Sequence, residues 1–232
     1  MTGNPSKHIV IAIDGPAGAG KSTAAKRLAQ MLDCRYINSG AMYRAAGWVA
    51  HAQHVAFDDQ VAVAALLGRV SIEFAFSDGQ TEVWVDGCHI TSQLRGESVG
   101  KAASAVAILP AVRDVITKKL RDLSSPAALV MEGRDIGTVV FPDATCKFYL
   151  EASLDTRAQR RFQEMRQAGQ SITLGQIRQA IATRDTQDQG RSVAPLNKAL
   201  DAYVIDTTDL TVDGVVKIML SGVRKQTLQR NM

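Results

Sequence analysis

The octapeptide at positions 15–22, Gly-Pro-Ala-Gly-Ala-Gly-Lys-Ser, restricts the fold of this chain more than any other segment. It matches the pattern Gly-x-x-x-x-Gly-Lys-Ser/Thr, in which backbone N–H groups surround phosphates. The apolar run before it, residues 9–13, predicts a parallel strand buried on both faces. The residues after it, 22–32, are good helix formers with an apolar face. Strand, glycine loop and helix in this order predict an α/β fold built on a parallel sheet.

Each part of the octapeptide has a physical role in holding a nucleotide. Gly15, Gly18 and Gly20 allow backbone angles and close approaches that a Cβ would block. A helix that begins near Lys21 directs free N–H groups and the positive end of its dipole at an anion. We expect the Lys21 ammonium to reach the β- and γ-phosphates and the Ser22 hydroxyl to ligate Mg²⁺. The alternative, a glycine turn before a helix with no ligand, explains fewer of these features.

Helical periodicity and short apolar runs alternate along the rest of the chain. We predict a short strand and turn at residues 35–40 that open a helix, and core strands at 127–131, 146–150 and 203–205. We predict further helices at about 58–67 and 92–109, from Pro110, from Ser153, from Thr173 to about 184, and from about 213 to the end. Proline suits a first helical position, Ser153 suits an N-cap, and Thr173 with Gln176 forms a capping-box signature.

The hydrophobic pattern changes period between residues 70 and 90. Apolar residues alternate with polar or small ones at 70–76 and again at 82–86, and Asp78-Gly79 between them indicates a turn. We predict an antiparallel hairpin here, with a third strand at 88–90. Such a sheet, inserted into a βαβ chain, forms a lobe on one side of a cleft.

The positive charge is carried in a way that argues against a nucleic-acid surface. The net charge is +4, but the segment from Arg134 to Arg191 is rich in arginine and has Lys147 as its one lysine. Nonspecific nucleic-acid surfaces usually mix lysine into continuous basic runs. Arginine without lysine indicates forked contacts to particular phosphates or carboxylates, although solvated ion pairs account for roughly half of these residues. We therefore expect small anionic ligands and no nucleic-acid partner.

Cysteine use and hydropathy indicate a cytoplasmic protein. Cys34, Cys88 and Cys146 are scattered without Cys-x-x-Cys spacing, which argues against a disulfide framework or a zinc site and is typical of a reducing compartment. No segment approaches 18 consecutive apolar residues, and the N-terminus has no apolar signal region, so we expect no membrane contact. The 232 residues suffice for one core with a small inserted lobe. No amphipathic stretch is surplus to that core, which favours a monomer.

Two of the classes that use a phosphate loop lack their other sequence features here. The Asn-Lys-x-Asp guanine signature of GTPases is absent. Motor ATPases carry an apolar strand that ends in paired carboxylates, whereas Leu129-Val130-Met131-Glu132 ends in one acid followed by glycine. A short chain with an inserted lobe and many arginines favours phosphoryl transfer between two small anions. In that chemistry the protein mainly positions the reactants and neutralises charge.

Four blocks of the sequence resemble the bacterial cytidylate kinases. They are Ile13-Asp14-Gly15-Pro16 with Lys21-Ser22-Thr23, the heptapeptide Asn-Ser-Gly-Ala-Met-Tyr-Arg at 38–44, residues 132–143, and Arg-Ser-Val-Ala-Pro-Leu at 191–196. The most specific is Gly-Arg-Asp-Ile-Gly-Thr-Val-Val-Phe-Pro at 133–142, and the likeness covers essentially the whole chain. One departure is Lys21-Ser22-Thr23, where some members have Lys-Gly-Thr; serine supplies the usual magnesium-ligating hydroxyl.

The resemblance implies a P-loop nucleoside monophosphate kinase fold: a parallel sheet core flanked by helices, an inserted small antiparallel β lobe and an arginine-rich helical lid. By that likeness the core comprises about 8–38, 105–153 and 195–232. The monophosphate-binding lobe, similar to that of the long bacterial type, comprises about 39–104 with its β insert at about 69–91. The lid comprises about 154–192. The implied reaction is ATP-dependent phosphorylation of CMP and dCMP with Mg²⁺.

The same likeness implies the functional residues. ATP would be bound by Gly15, Pro16, Ala17, Gly18, Ala19, Gly20, Lys21, Ser22 and Thr23, with Mg²⁺ at Ser22 and held mostly through substrate phosphates and water. CMP would be bound by Ser39, Arg44, Ser104, Arg113, Arg134, Asp135, Arg184 and Asp188. Within that set, Ser39, Arg113 and Asp135 would face cytosine, with Ser104 beside them. Arg44 and Arg134 would hold the phosphate, and Arg184 and Asp188 would reach the sugar hydroxyls or the substrate's phosphate side. The catalytic residues would be Lys21, Arg134, Arg157, Arg161 and Arg191, the last three in or near a mobile lid.

Several of these assignments have alternatives in the sequence itself. Asp135 can accept from the exocyclic amine of cytosine, or form a surface pair with Arg134. Glu164 lies four residues after Arg160, so we expect this pair to be structural. Arg184, Asp188 and Arg191 have helical spacing, but Gly190 makes a continuous helix doubtful and an ion-pair ladder is the alternative. Glu132 could hold Mg²⁺ through water or simply be packed.

Two other functions remain open at this stage. The first is a kinase for another nucleoside monophosphate, UMP or dTMP. The residues that face the base would distinguish these acceptors from CMP. The second is a nucleotide-regulated RNA-binding protein, which predicts RNA affinity that falls steeply with salt. The complete phosphate loop and the preference for arginine over lysine disfavour the second.

Overall fold

The computed structural model describes residues 9–77, 80–124 and 128–230. Its elements in chain order are β1 (Val10–Asp14), α1 (Lys21–Met31), β2 (Arg35–Asn38), α2 (Ser39–Ala52), α3 (Gln60–Arg69), β3 (Ile72–Ser77), β4 (Gln80–Val85), β5 (Cys88–His89), α4 (Glu97–Ala107), α5 (Pro110–Asp122), β6 (Leu129–Glu132), a π-helix (Ile136–Val140), β7 (Cys146–Glu151), α6 (Leu154–Gln167), α7 (Leu174–Gln189), β8 (Tyr203–Asp206) and α8 (Val212–Arg230). None of the helices in these ranges has the length and apolar character needed to cross a bilayer.

Five parallel strands form the central sheet, in the order β2-β6-β1-β7-β8. Strand β1 lies in the middle, paired with β6 on one side and β7 on the other. Its carboxyl end therefore opens at the centre of the sheet edge, where ligands bind in open α/β folds. The phosphate loop starts there, immediately after Asp14.

Helices cover both faces of the sheet, which explains why its strands are continuous apolar runs. On one face α1 and α8 pack around Leu28, Phe148 and Met219, all essentially inaccessible to solvent. On the other face the core residues Ile37 and Met131 belong to a cluster that extends into α2, α5 and the inserted lobe. The predicted α/β class with a parallel sheet is confirmed.

The inserted lobe consists of α2, α3, α4 and the antiparallel sheet β3-β4-β5. Its apolar residues Met42, Val63 and Ile72 lie in the same cluster as the sheet core, so the lobe and the core share buried surface. The hairpin is confirmed, since β3 and β4 pair antiparallel and β5 pairs with β4. The turn predicted at 78–79 lies outside the described residues.

Helices α6 and α7 pack on each other through a small cluster of their own, Ala158, Ile177 and Ile181. Both predicted caps are confirmed. Ser153 accepts from the Thr156 N–H, and Thr173 forms a reciprocal capping box with Gln176. The separate core of these two helices is the structural basis for regarding them as a unit distinct from the sheet.

Three local predictions differ from the structure. The helix predicted from residue 92 begins at Glu97, because residues 91–94 form a turn and Gly96 has φ 112°. The helix predicted to end near 184 continues to Gln189, where Gly190 caps it. The π-helix at Ile136–Val140 was not predicted at all, and the contacts that hold its first turn come from a strand far away in the sequence.

Candidate active site

The phosphate loop has the backbone that its glycines allow. Gly15 has φ 144°, and a Cβ there would overlap the carbonyl oxygen of Leu150 in β7. Gly20 caps α1 in the left-handed conformation, with φ 84°. The helix starts at Lys21, as expected, so its free N–H groups point into the loop. The loop therefore provides an anion site made largely of backbone.

Lys21 is buried and its Nζ donates to the carbonyl of Pro16 at 2.6 Å. Burial, followed by the nearby Arg134 guanidinium, lowers the pKa of Lys21 to about 7. Arg184 contributes in the same direction, while Glu132 and Asp14 oppose it. The electrostatic neighbours of this lysine thus include two arginines from outside the loop, Arg134 after β6 and Arg184 in α7.

The first turn of α1 and the end of β6 present oxygen atoms close to the loop. Ser22 and Thr23 are exposed at the start of α1. Glu132, at the carboxyl end of β6, is buried and accepts from the Tyr36 hydroxyl at 2.7 Å. Burial, and then the charge of Glu132, raises the pKa of Tyr36. Glu132 is thus oriented by a neutral hydroxyl donor.

Asp135 and Arg113 form a buried ion pair, with 3% and 2% of each residue exposed. Arg113 comes from α5 and also donates to the Ala107 carbonyl at 3.1 Å. The alternative of a surface pair between Asp135 and Arg134 is wrong, because Asp135 is buried against Arg113. A carboxylate and a guanidinium held in this way present both an acceptor and donors to a polar ring.

Ser39 and Ser104, the two serines predicted beside the base, have different surroundings. Ser39 is buried, and a Cβ on Gly133 would overlap its hydroxyl oxygen, so it lies against the segment that carries Asp135. Ser104 is half-buried in α4 and its hydroxyl donates to the Gly100 carbonyl at 3.1 Å. The structure therefore places Ser39 against Gly133, two residues before Asp135, and leaves Ser104 hydrogen-bonded within its own helix.

Asp188 is a shared partner of three arginines. Its carboxylate accepts from Arg134 Nε at 2.8 Å, pairs with Arg191, and lies 3.9 Å from Arg184 Nε. Burial alone would raise the pKa of Asp188, but Arg134 and Arg191 outweigh it and hold the pKa below its usual value. Helix α7 ends at Gln189, so Arg191 reaches Asp188 from the segment beyond Gly190.

Arg44 and Arg161 complete the positive charge on this side of the cleft. Arg44 is half-buried in α2 and donates to the Leu94 carbonyl at 3.0 Å. Burial, and then the charge of Arg161, lowers the pKa of Arg44. Arg161 itself is exposed and pairs with Glu164 at 2.9 Å. The predicted Arg160–Glu164 pair is therefore wrong: the partner of Glu164 is the arginine three residues before it.

Two further arginines of α6 are linked to the phosphate loop, Arg157 directly and Arg160 through Thr207. Arg157 is buried, donates to the Ala17 carbonyl at 3.1 Å and pairs with Asp185 of α7 at 2.6 Å. Arg160 donates to the Thr207 carbonyl at 2.6 Å, and the Thr207 hydroxyl in turn donates to the Ala19 carbonyl at 3.1 Å. Sequence reasoning missed Arg160 because its partner lies 47 residues away, and no local pattern could have revealed it.

Comparison with known proteins gives one consistent result. The cytidylate kinase family model matches residues 11–225. The curated cytidylate kinase of Haemophilus ducreyi is 39% identical over 218 residues, which cover 94% of this chain and 97% of that protein. The one of Halalkalibacterium halodurans is 43% identical over 220 residues, covering 95% and 99% respectively.

Among solved structures, an uncharacterised protein from Eubacterium ventriosum superposes with a TM-score of 0.53 over 93% of this chain and 98% of its own. Its sequence is 12% identical, so this likeness concerns the fold alone.

Proposed function

The chain belongs to the cytidylate kinase family, and on that premise we propose that it transfers the γ-phosphoryl group of ATP to CMP or dCMP. One observation carries the proposal. Lys21 of the phosphate loop is close enough to Arg134 and Arg184 for their charges to depress its pKa. A donor lysine and acceptor arginines around one space suit direct in-line transfer with no phosphoenzyme.

The loop 15–23 is the proposed ATP site. Its backbone N–H groups and the start of α1 surround the phosphates, and Lys21 leaves the Pro16 carbonyl to bind the β- and γ-oxygens. The contacts of Arg157 and Arg160 with the loop region support a role for both in shaping it.

The proposed cytosine site is the buried pair Arg113–Asp135 together with Ser39, with Ser104 beside it. Cytosine carries an exocyclic amine where uracil carries a carbonyl, and Asp135 can only accept. A carboxylate facing a carbonyl is left unpaired or repelled, which disfavours uracil. The Arg113 guanidinium pairs with the Asp135 carboxylate and offsets the cost of burying it.

Arg44 and Arg134 are the proposed ligands of the acceptor phosphate, while Arg184 and Asp188 face the sugar or the phosphate side. Partial burial, followed by Arg134, lowers the pKa of Arg184 to about 10, and Arg44 and Arg191 add to this effect. The guanidinium groups repel one another, and a phosphate dianion bound between them would compensate this repulsion. The repulsion within this cluster therefore supports an anion as its ligand.

Arg157, Arg161 and Arg191 are the proposed lid arginines that stabilise charge on the transferred group. The separate cluster Ala158, Ile177 and Ile181 supports a lid at about 154–192 that moves as a unit over the core at about 8–38, 105–153 and 195–232. The lobe at about 39–104 would close from the other side. Closure excludes water, which would otherwise compete for the phosphoryl group.

Magnesium fits the residues at the loop. Among residues 9–77, 80–124 and 128–230, no three His, Cys, Asp or Glu side chains are grouped as a metal site. The available ligands are hard oxygens, the Ser22 hydroxyl and, through water, Glu132, which suits an ion held mainly by substrate phosphates. Bound there, Mg²⁺ would neutralise charge on the β- and γ-phosphates. Ser22 would hold it, while Tyr36 keeps Glu132 oriented.

We further propose a cytoplasmic monomer whose partners are ATP, CMP and dCMP alone. Three free thiols, on Cys34, Cys88 and Cys146, support a reducing compartment.

The test is a coupled ADP-release assay of the purified chain with Mg²⁺, ATP and, in turn, CMP, dCMP, UMP, AMP and dTMP. We expect turnover with CMP and dCMP, and a kcat/KM for UMP lower by roughly 100-fold, the upper end of the cost of leaving one buried polar group without its partner. Equal activity with UMP would remove the cytosine assignment. Turnover of dTMP or AMP alone would identify a different monophosphate kinase.

A further inference from the structure

Asp14, the last residue of β1, is buried with 4% of its surface exposed, and both of its carboxylate oxygens are occupied. Oδ1 accepts from the Ile136 N–H at 2.8 Å, and Oδ2 accepts from the Gly137 N–H at 2.7 Å. These are the first two residues of the π-helix Ile136–Val140. Because the first N–H groups of a helix have no partner within it, Asp14 caps this turn from a neighbouring strand.

The segment held by these bonds carries the proposed acceptor residues. Arg134 and Asp135 come directly before Ile136. The two hydrogen bonds from Ile136 and Gly137 to Asp14 therefore restrain the backbone of both residues. Little space is left beside Gly137, where a Cβ would lie 3.1 Å from Lys147 Cδ and in van der Waals contact with Asp14 Oδ2 at 3.4 Å. The Gly133 N–H also donates to the carbonyl of Ile13 at 2.9 Å. The end of β1 therefore holds the whole stretch 133–137.

The same residue is joined directly to the donor loop. One peptide bond separates Asp14 from Gly15, whose position against the Leu150 carbonyl fixes the start of the loop. Loop and acceptor segment thus have a common anchor, and a displacement of one relative to the other must break a bond to Asp14. In-line transfer depends on that relative position, and a misplacement of about 1 Å can cost roughly 100-fold in rate.

We propose that Asp14 is a positioning residue: by capping the turn at Ile136 and Gly137, its carboxylate sets Arg134 and Asp135 opposite the phosphate loop without contacting either substrate. This inference rests on the proposed function.

The surroundings of Asp14 support this role. Burial raises its pKa to about 6, opposed by the hydrogen bonds from Gly137 and Ile136. Asp135 adds repulsion and Lys21 adds attraction. Burying a charged carboxylate is unfavourable, and proteins are expected to accept such a cost mainly at positions that function constrains. Its partners are backbone groups of the acceptor segment, so the constraint acts on that segment.

The experiment compares Asp14→Asn with the wild-type chain and with Met219→Ala. Asparagine keeps the size of the side chain, but its amide can accept from one N–H only and directs its own N–H groups at the other. Met219 of α8 is fully buried in the core and is not among the residues proposed to bind either substrate, so Met219→Ala reports the kinetic effect of lost stability. Melting temperatures are measured for all three proteins.

We expect Asp14→Asn to lower kcat/KM for CMP roughly 10- to 100-fold, mostly through KM for CMP and kcat. The dissociation constant for ATP, measured without acceptor, should change less than about threefold, because the loop backbone is held separately at Gly15. Met219→Ala should leave KM for both substrates unchanged. A rise in the ATP constant equal to that for CMP would overturn the proposal, as would CMP kinetics indistinguishable from those of Met219→Ala.

If Asp14→Asn does not fold, Gly137→Ala tests the same contact from the other side, because its Cβ would lie 3.1 Å from Lys147 Cδ and would touch Asp14 Oδ2. It should show the same defect toward CMP alone, and an equal defect toward ATP would contradict the proposal. The activity of the wild-type chain on CMP is measured before that of any variant. Absence of this activity would refute the proposed function itself.

Discussion

The phosphate loop and the arginine cluster around Asp188 both suit phosphate groups, but they are built in opposite ways. The loop is one contiguous octapeptide whose ligands are mostly backbone N–H groups, with Lys21 as its charged side chain. The cluster consists of side chains from different elements: Arg134 after β6, Arg184 and Asp188 in α7, and Arg191 beyond it. A site made from local backbone depends on its own segment, whereas a site made from distant side chains depends on the whole fold.

This difference predicts that variants on the two sides have separable effects. A change in the loop should impair the use of ATP and spare acceptor binding. A change in the cluster should impair acceptor use and stability together, because its charged groups are also buried contacts between elements.

The largest effect is expected for Lys21→Met, which keeps the length of the side chain and removes its charge. We expect kcat to fall roughly 1,000-fold, as for the loss of one preorganised charge donor to the transferred group. The dissociation constant for CMP, measured by calorimetry without ATP, should stay within about threefold of wild type. Equal loss of CMP binding would show that the two sides are not separable.

Next in size is Asp188→Asn, which leaves three arginines without their shared carboxylate. We expect KM for CMP to rise and the free energy of unfolding to fall by about 3 kcal/mol, the loss typical of a broken buried pair. Because the folded pKa of Asp188 lies below its ordinary 3.8, this stabilisation is present above pH 4 and is lost as the pH falls further. The stability difference from wild type, measured by urea denaturation, should therefore shrink below pH 4; a constant difference would contradict the charge-based explanation.

A smaller effect concerns the pH dependence of the ATP side. Burial and Arg134 lower the pKa of Lys21 from 10.5 to about 7, so the folded chain binds fewer protons than the unfolded chain between these values. The contribution of Lys21 to stability therefore rises with pH across that window. ATP phosphates favour the charged ammonium, so ATP binding should take up a proton and weaken from pH 7 to 9.

Calorimetry in two buffers of different ionisation enthalpy measures that proton uptake. Lys21→Arg is the control, because arginine stays charged throughout this range. Uptake that persists unchanged in this variant would assign the proton to another group.

The smallest effect on stability is expected for Arg161→Ala. Its pair with Glu164 is exposed, 51% on the arginine and 63% on the glutamate side chain, so unfolding should change by no more than about 0.5 kcal/mol. Arg157→Ala is the matched comparison on the same helix, and it should lose more because its pair with Asp185 is buried. Equal losses of stability in the two variants, measured by thermal denaturation, would contradict the distinction between the exposed Arg161 and the loop-bound Arg157.

The same contrast explains what could be predicted from the sequence. Strand, loop and helix around Lys21 were predicted from local pattern alone, because propensity and glycine geometry are local properties. The capping box at Thr173 and the hairpin at 72–85 were predicted for the same reason. The proposed acceptor residues rest on resemblance to a family, since no local rule places Arg113 beside Asp135.

The features that were predicted wrongly or missed depend on contacts between residues far apart in the sequence. Arg160 was assigned to Glu164 by its spacing on the helix, but its partner is Thr207 in another segment. The π-helix at Ile136–Val140 has no signature in its own residues, because the group that caps it is Asp14. The burial of Asp135 was likewise not derivable from its charged neighbour Arg134.

The central claim is that the Arg113–Asp135 pair selects the acceptor while the loop binds the donor. The most direct test is the ratio of kcat/KM for CMP to that for UMP in wild type and in Asp135→Asn, whose amide can donate to the uracil carbonyl. We expect a ratio of roughly 100 in wild type that falls at least about tenfold in the variant, with the ATP dissociation constant unchanged. A ratio that stays the same in a folded Asp135→Asn variant would contradict it.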